Sequence, residues 1–217
     1  MNFSSTLNRR VLLLSGILGV IFSAIFYLFW TNEIQYLAPT KRPENYVQVN
    51  ISDSTTLKGI LGNKDDRPTY IHYYNPYCPC SKFNYGYYSE IAGKYRDRFN
   101  MYLVIREMDE DVIDKIRESV TGNTTVIIDK NGEIARQTGV YSTPQAVLLN
   151  TDYTLYYRGN YNRSKYCTVK DYNYAEMAID SLLSGRPAPL FDHFATTAYG
   201  CSLEKEREIY QVLFNIN

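Results

Sequence analysis

Twenty consecutive residues without a charge, Val11 to Trp30, constrain this chain more than any other feature. At about 1.5 Å per residue such a run crosses a hydrocarbon core of roughly 30 Å. A secretory signal has an apolar region of only about 7 to 15 residues followed by a small-x-small cleavage site. Here the run is longer, and Tyr36-Leu37-Ala38 puts a bulky residue where a small one is needed. The segment therefore reads as a retained transmembrane helix over residues 11–30. Arg9 and Arg10 precede it and Glu33 follows it, so the positive-inside rule puts residues 1–10 in the cytoplasm and everything after the helix outside.

Beyond the anchor remain roughly 185 residues, enough for one domain with a sizeable core. With 23 basic and 23 acidic residues the formal charge is zero, and nothing points to nucleic acid as a partner. Residues 31–56 are polar, contain Pro39 and Pro43, and read as a tether with one edge strand at Tyr46 to Val49. A β-rich run, Thr69 to Tyr74, opens the core. Phe83, Tyr87, Ile91 and Tyr95 then recur every four positions, which predicts a helix with one buried stripe. Asn100 to Ile105 is a continuous apolar run, as in a strand covered on both faces. A second helix follows, with Asp109 as N-cap, Val112, Ile113, Ile116 and Val120 inward and Gly122 as stop. Val126 to Ile128 is a short strand, Glu133 to Thr138 a short helix, Gln145 to Leu149 and Leu155 to Arg158 a hairpin, and residues 174–184 the closing helix. This order predicts a three-layer α/β domain with a mixed sheet.

Between the first strand and the first helix lies Cys78-Pro79-Cys80. The start of a helix directs backbone N–H groups and the positive end of its dipole at the residue there, which favours a thiolate. Cys78 is accordingly a candidate nucleophile and Cys80 a candidate resolving thiol. The alternatives are a buried free thiol for Cys78 and, for Cys80, a structural bond to Cys167 or Cys201. Cys167 and Cys201 read as one stabilising disulfide, or else Cys201 serves Cys78 as a distal resolving or relay thiol. Ser202 could cap a helix from Leu203 to Val212. The 22 tyrosines, many clustered around the cysteine motif, read as half-polar strand and core residues or as an aromatic rim around a substrate groove. His72 and His193 read as ordinary hydrogen-bonded residues.

Three local matches make residues 57–184 resemble the thioredoxin-like superfamily. Tyr74-Asn75-Pro76-Tyr77-Cys78-Pro79-Cys80-Ser81 looks like the aromatic-then-cysteine entry of a thioredoxin active site. Ile134 to Pro144 is similar to the superfamily segment that ends in Thr-Pro, and a hairpin and closing helix follow it. The tail, 185–217, resembles redoxin-type proteins that end in a Gly-Cys element, here Gly200-Cys201. The resemblance implies a thioredoxin-like domain, a cis Pro144 facing Cys78, and Thr143, Pro144 and Tyr77 as substrate-binding residues. It implies a thiol-disulfide oxidoreductase acting on protein or small-molecule thiols and disulfides, with no cofactor and no metal. The motif departs from the family pattern: Ser81 stands where the second cysteine of C-x-x-C belongs, leaving C-x-C. A peroxiredoxin fits less well, because Asn75 stands where a threonine or serine is expected. Two other classes stay open, a copper(I)-binding assembly factor, although the usual C-x-x-x-C spacing is absent, and a tethered binding module without catalysis.

Overall fold

The computed structural model describes residues 3–32, 34, 37–62, 65–164 and 166–203. It comprises two units, 1–38 and 39–217. The first unit is one helix, α1 (Phe3–Asn32), within which Asn8–Thr31 is long and apolar enough to cross a membrane. Leu12, Val20, Phe22 and Phe26 are all exposed on it, as side chains that face lipid would be.

The second unit is built on a five-stranded sheet of order β3-β2-β1-β5-β6. β1 (Thr69–Tyr73) pairs parallel with β2 (Asn100–Ile105), and β2 pairs parallel with β3 (Thr125–Ile128). β5 (Gln145–Leu149) runs antiparallel to β1 and turns back into β6 (Leu155–Gly159). Every residue of β1, β2 and β5 is buried, which accounts for their unbroken apolar runs.

Helices cover both faces. On one, Tyr70, Leu103 and Leu148 pack with α3 (Pro79–Tyr95), α4 (Glu110–Ser119) and α6 (Tyr174–Leu183). On the other, Ile71, Val104 and Val147 pack with Leu61 of the short α2 (Lys58–Leu61) and with Ile134 and Ala135 of α5 (Glu133–Thr138). The chain thus forms the expected three-layer domain with a mixed sheet, and β1, β2, β3, β5, β6, α4, α5 and α6 fall within a residue or two of their predicted bounds, while α3 starts four residues before Phe83.

Two expectations need correction. Residues 39–56 are no free tether and hold no strand at Tyr46 to Val49; they are pinned along the domain. Tyr46 donates to the Gly139 carbonyl at 3.1 Å, Arg158 donates to the Val49 carbonyl at 3.0 Å, and Ser54 bridges Thr154. The buried stripe of α3 is Ser81, Asn84, Tyr88, Ile91, Ala92 and Tyr95, whereas Phe83 is exposed. Polar Ser81 and Asn84 disguise that face, because each is buried for a hydrogen bond of its own. Ser81 accepts from the Asn75 N–H, and Asn84 donates to Cys167.

The tyrosines are core material, the first of the two readings given them, and their hydroxyls find partners indoors. Tyr73 meets Thr138 at 2.7 Å, Tyr102 donates to the Leu61 carbonyl at 2.9 Å, and Tyr157 donates to the Asn160 carbonyl at 2.6 Å. Tyr70 donates to Tyr161 at 2.7 Å, and Tyr161 in turn meets Nδ1 of His72 at 2.6 Å.

His72 lies wholly buried, stacked on Tyr88 with ring centroids 4.1 Å apart. Burial pushes its pKa down to about 3, so the folded protein holds a neutral imidazole that accepts from Tyr161. The unfolded chain binds this proton near pH 6.5, the folded chain only near 3. Stability from this group is therefore complete above about pH 6.5 and is lost progressively as pH falls toward 3, by up to about 1.4 kcal/mol per pH unit. The urea midpoint should fall between pH 7 and pH 5, and a flat profile across that range would contradict a buried neutral His72.

Candidate redox site

The turn that carries Cys78 is set by Asn75-Pro76. The Asn75 side chain accepts from the Tyr77 N–H at 2.8 Å, and its carbonyl accepts from the Cys78 N–H at 3.1 Å. Cys78 is the N-cap of α3, extended at φ −81° and ψ 118°, and Pro79 occupies the first helical position, where its missing N–H costs nothing. The Cys78 carbonyl accepts the first helical bond, from Lys82, at 3.1 Å. The Cys78 sulfur therefore sits at the positive end of a 17-residue helix.

Facing it is the Thr143-Pro144 peptide, which is cis as the resemblance implied. The Cys78 Sγ lies 3.6 Å from the Thr143 carbonyl oxygen. Tyr77 stands beside it, half exposed.

The partner of Cys78 is Cys201. The two form a disulfide across 123 residues, with Cα atoms 6.0 Å apart. Neither the expected Cys78–Cys80 bond nor a Cys167–Cys201 bond is present. Cys78 and Cys80 are both buried, but Cys78 is an extended N-cap with its sulfur at Thr143, whereas Cys80, two positions on, already has helical backbone. Cys167 lies against Asn84 on the side of α3, 3.0 Å from its amide nitrogen. The proposed helix from Leu203 to Val212 lies outside the described residues.

Cys201 reaches Cys78 because the tail is laid down in steps. Asn160 donates through its side chain to the carbonyls of Phe194 and Thr197, both at 2.6 Å, which fixes α7 (His193–Thr196) against the end of β6. Thr40 then donates its N–H to the Ala198 carbonyl at 2.8 Å and its hydroxyl to the Gly200 carbonyl at 3.1 Å. Last, β7 (Cys201–Ser202) pairs antiparallel with β4 (Ser142–Thr143), setting Cys201 opposite Thr143. Gly200 has φ +132°, a conformation open to glycine and rarely to other residues. A Cβ there would also run into the Thr143 carbonyl.

Thr40, Asn160 and Gly200 are site-building residues that local sequence patterns do not disclose, since their partners are 34 to 160 positions away. The Gly-Cys dipeptide is the one available signal.

Among the described residues no three His, Cys, Asp or Glu side chains cluster as a metal site would require.

A cysteine capping the helix after the first strand, a cis proline across from it, and a central sheet of this order define a thioredoxin-like protein. The chain belongs to the family described as Domain of unknown function (DUF6436), whose profile matches residues 47–203. No curated protein matches the chain. Among solved structures it is similar to an uncharacterized conserved protein from Geobacillus kaustophilus, with 19% identity, a TM-score of 0.56, and coverage of 76% of this chain and 97% of that one. A hypothetical protein from Sinorhizobium meliloti is similar at 14% identity and a TM-score of 0.58, covering 73% of this chain and 96% of that one. A secreted disulfide oxidoreductase from Mycobacterium tuberculosis is similar at 16% identity over 54% of this chain and 83% of that one, with a TM-score of 0.43.

Proposed function

We propose that this protein is a membrane-anchored, extracytoplasmic thiol-disulfide oxidoreductase in which Cys78 is the attacking thiol and Cys201 the resolving one. The observation that carries this reading is the Cys78–Cys201 disulfide, formed at a helix N-terminus against Thr143 and cis Pro144. Nothing beyond sulfur chemistry is needed, so no cofactor enters.

In the oxidised protein an external thiolate attacks one sulfur of the bond. Attack on Cys201, the more exposed of the two, expels Cys78 as a thiolate, and a thiolate at a helix N-terminus is the better leaving group. A second external thiol then clears Cys201, leaving the dithiol. In the reverse direction the Cys78 thiolate attacks a partner's disulfide, forms a mixed disulfide and releases one partner thiol. Cys201 then attacks the Cys78 sulfur, closes the internal bond and releases the second.

The pairing of β7 with β4 supports a place for the partner. β7 lies on the β4 edge, next to Pro144, where an extended substrate would pair as an added strand. Reduction frees Cys201, so the tail can leave that edge to a substrate segment, with Thr143 offering its backbone and Tyr77 an exposed ring beside it. The tail thus holds the substrate's place while the bond is closed. C-x-C exchange, with Cys80 resolving, is the reading the pairing favours less.

Topology follows from Arg9 and Arg10 before the apolar helix, which put the short N-terminus in the cytoplasm and the domain outside it. The test is insulin reduction by the detergent-solubilised protein with a dithiol as electron source. Wild type should turn over, and Cys78→Ser should fall to the background rate of the dithiol alone. Background activity in a folded wild type would leave only a binding module.

A further inference from the structure

The other two cysteines belong to one flank of α3. Cys80, Phe83, Asn84 and Tyr87 share one helical stripe, being three or four residues apart, and Tyr161, Tyr166 and Cys167 cover it rung by rung. Phe83 stacks edge-on against Tyr166 with centroids 4.9 Å apart, Tyr87 against Tyr161 at 6.1 Å, and Asn84 donates to the Cys167 Sγ at 3.0 Å. Cys80 lies one turn, a rise of about 6 Å, before Asn84 on this stripe, and Asn84 is the residue that holds Cys167. Two further observations mark the place. Asn84 is only 3% exposed, and its Oδ1 has no hydrogen-bond partner among the described residues. Cys167 holds φ +55°, unusual for a residue with a side chain.

We propose that Cys80 and Cys167 are a second redox-active pair, which closes to a disulfide and clamps Cys167 and its neighbour Tyr166 onto α3 directly behind the Cys78 turn. The oxidant is a low-molecular-weight disulfide of the glutathione type. Cys167, the more exposed thiol, loses its proton and attacks one sulfur of that disulfide, forming a mixed disulfide and releasing one thiol. The Cys80 thiolate then attacks the Cys167 sulfur, forming Cys80–Cys167 and releasing the second thiol. Two protein thiols are oxidised and one disulfide is reduced to two thiols. Burial raises the Cys167 pKa to about 11, so this pair closes more slowly than Cys78 and Cys201.

The test is disulfide mapping by mass spectrometry after incubation with oxidised glutathione, on wild type and on a Cys78→Ser/Cys201→Ser double variant in detergent. A Cys80–Cys167 cross-linked peptide should appear in both, reversibly on adding dithiothreitol, and Cys167→Ser should abolish it while leaving insulin reduction intact. Two fully alkylatable thiols after oxidation of wild type, or stable glutathione adducts without a cross-link, would overturn the proposal. The outcome is independent of the first pair: a Cys80–Cys167 bond in a protein without insulin reductase activity would leave this inference standing and sink the one above.

Discussion

Replacing Cys201 by serine should turn the protein into a trap. Cys78 would still attack a disulfide substrate, but without Cys201 opposite Thr143 the mixed disulfide has no resolving thiol at its sulfur. Turnover in insulin reduction should drop to background, and mixed disulfides of the detergent-solubilised protein should accumulate on non-reducing gels. Cys78→Ser should lose both turnover and adducts, because the thiol at the helix N-terminus is gone. Cys80→Ser should retain turnover. If adducts instead accumulate in Cys80→Ser and not in Cys201→Ser, the resolving thiol is the one inside the C-x-C motif, and the tail is only a structural staple.

The second large effect is expected at Gly200, which touches neither sulfur. Alanine there must hold φ +132° and place its Cβ into the Thr143 carbonyl, so β7 can no longer lie flat on β4. A strained backbone position of this kind costs roughly 1 to 3 kcal/mol, which makes the closed disulfide on the order of ten- to a hundredfold easier to reduce. Equilibration of Gly200→Ala against glutathione buffers should shift the Cys78–Cys201 couple toward the dithiol by that factor. The urea midpoint should change far less, since β7 is a two-residue strand at the edge of the domain. An unchanged glutathione equilibrium would mean that strand pairing does not hold the tail in place.

The contrast between these two residues explains what a sequence can disclose. Cys78 is legible because everything that defines it is local: a strand, the Asn75 turn and a proline at the first helical position, all within about ten residues. Thr143-Pro144 is legible for the same reason, as a short segment before a hairpin. The pairing of Cys78 with Cys201 is legible only as one of two alternatives, because it depends on a path through Asn160, Thr40 and Gly200 that exists only after the sheet has formed. Periodicity places the stripe of α3 one position off, since it follows apolar residues while Ser81 and Asn84 are buried for their hydrogen bonds. Residues 39–56 read as a linker because they are held by single hydrogen bonds to distant parts of the domain, such as Ser52 to Leu155 of β6 and Tyr46 to Gly139, which leave no hydrophobic pattern.

The account rests on which sulfur Cys78 holds, and disulfide mapping of the protein purified from membranes without reductant, with thiols blocked at lysis, measures it directly. The account predicts a peptide containing Cys78 and Cys80 joined through Cys78 to the peptide containing Cys201. A Cys78–Cys80 linkage, or Cys201 joined to Cys167, would contradict it.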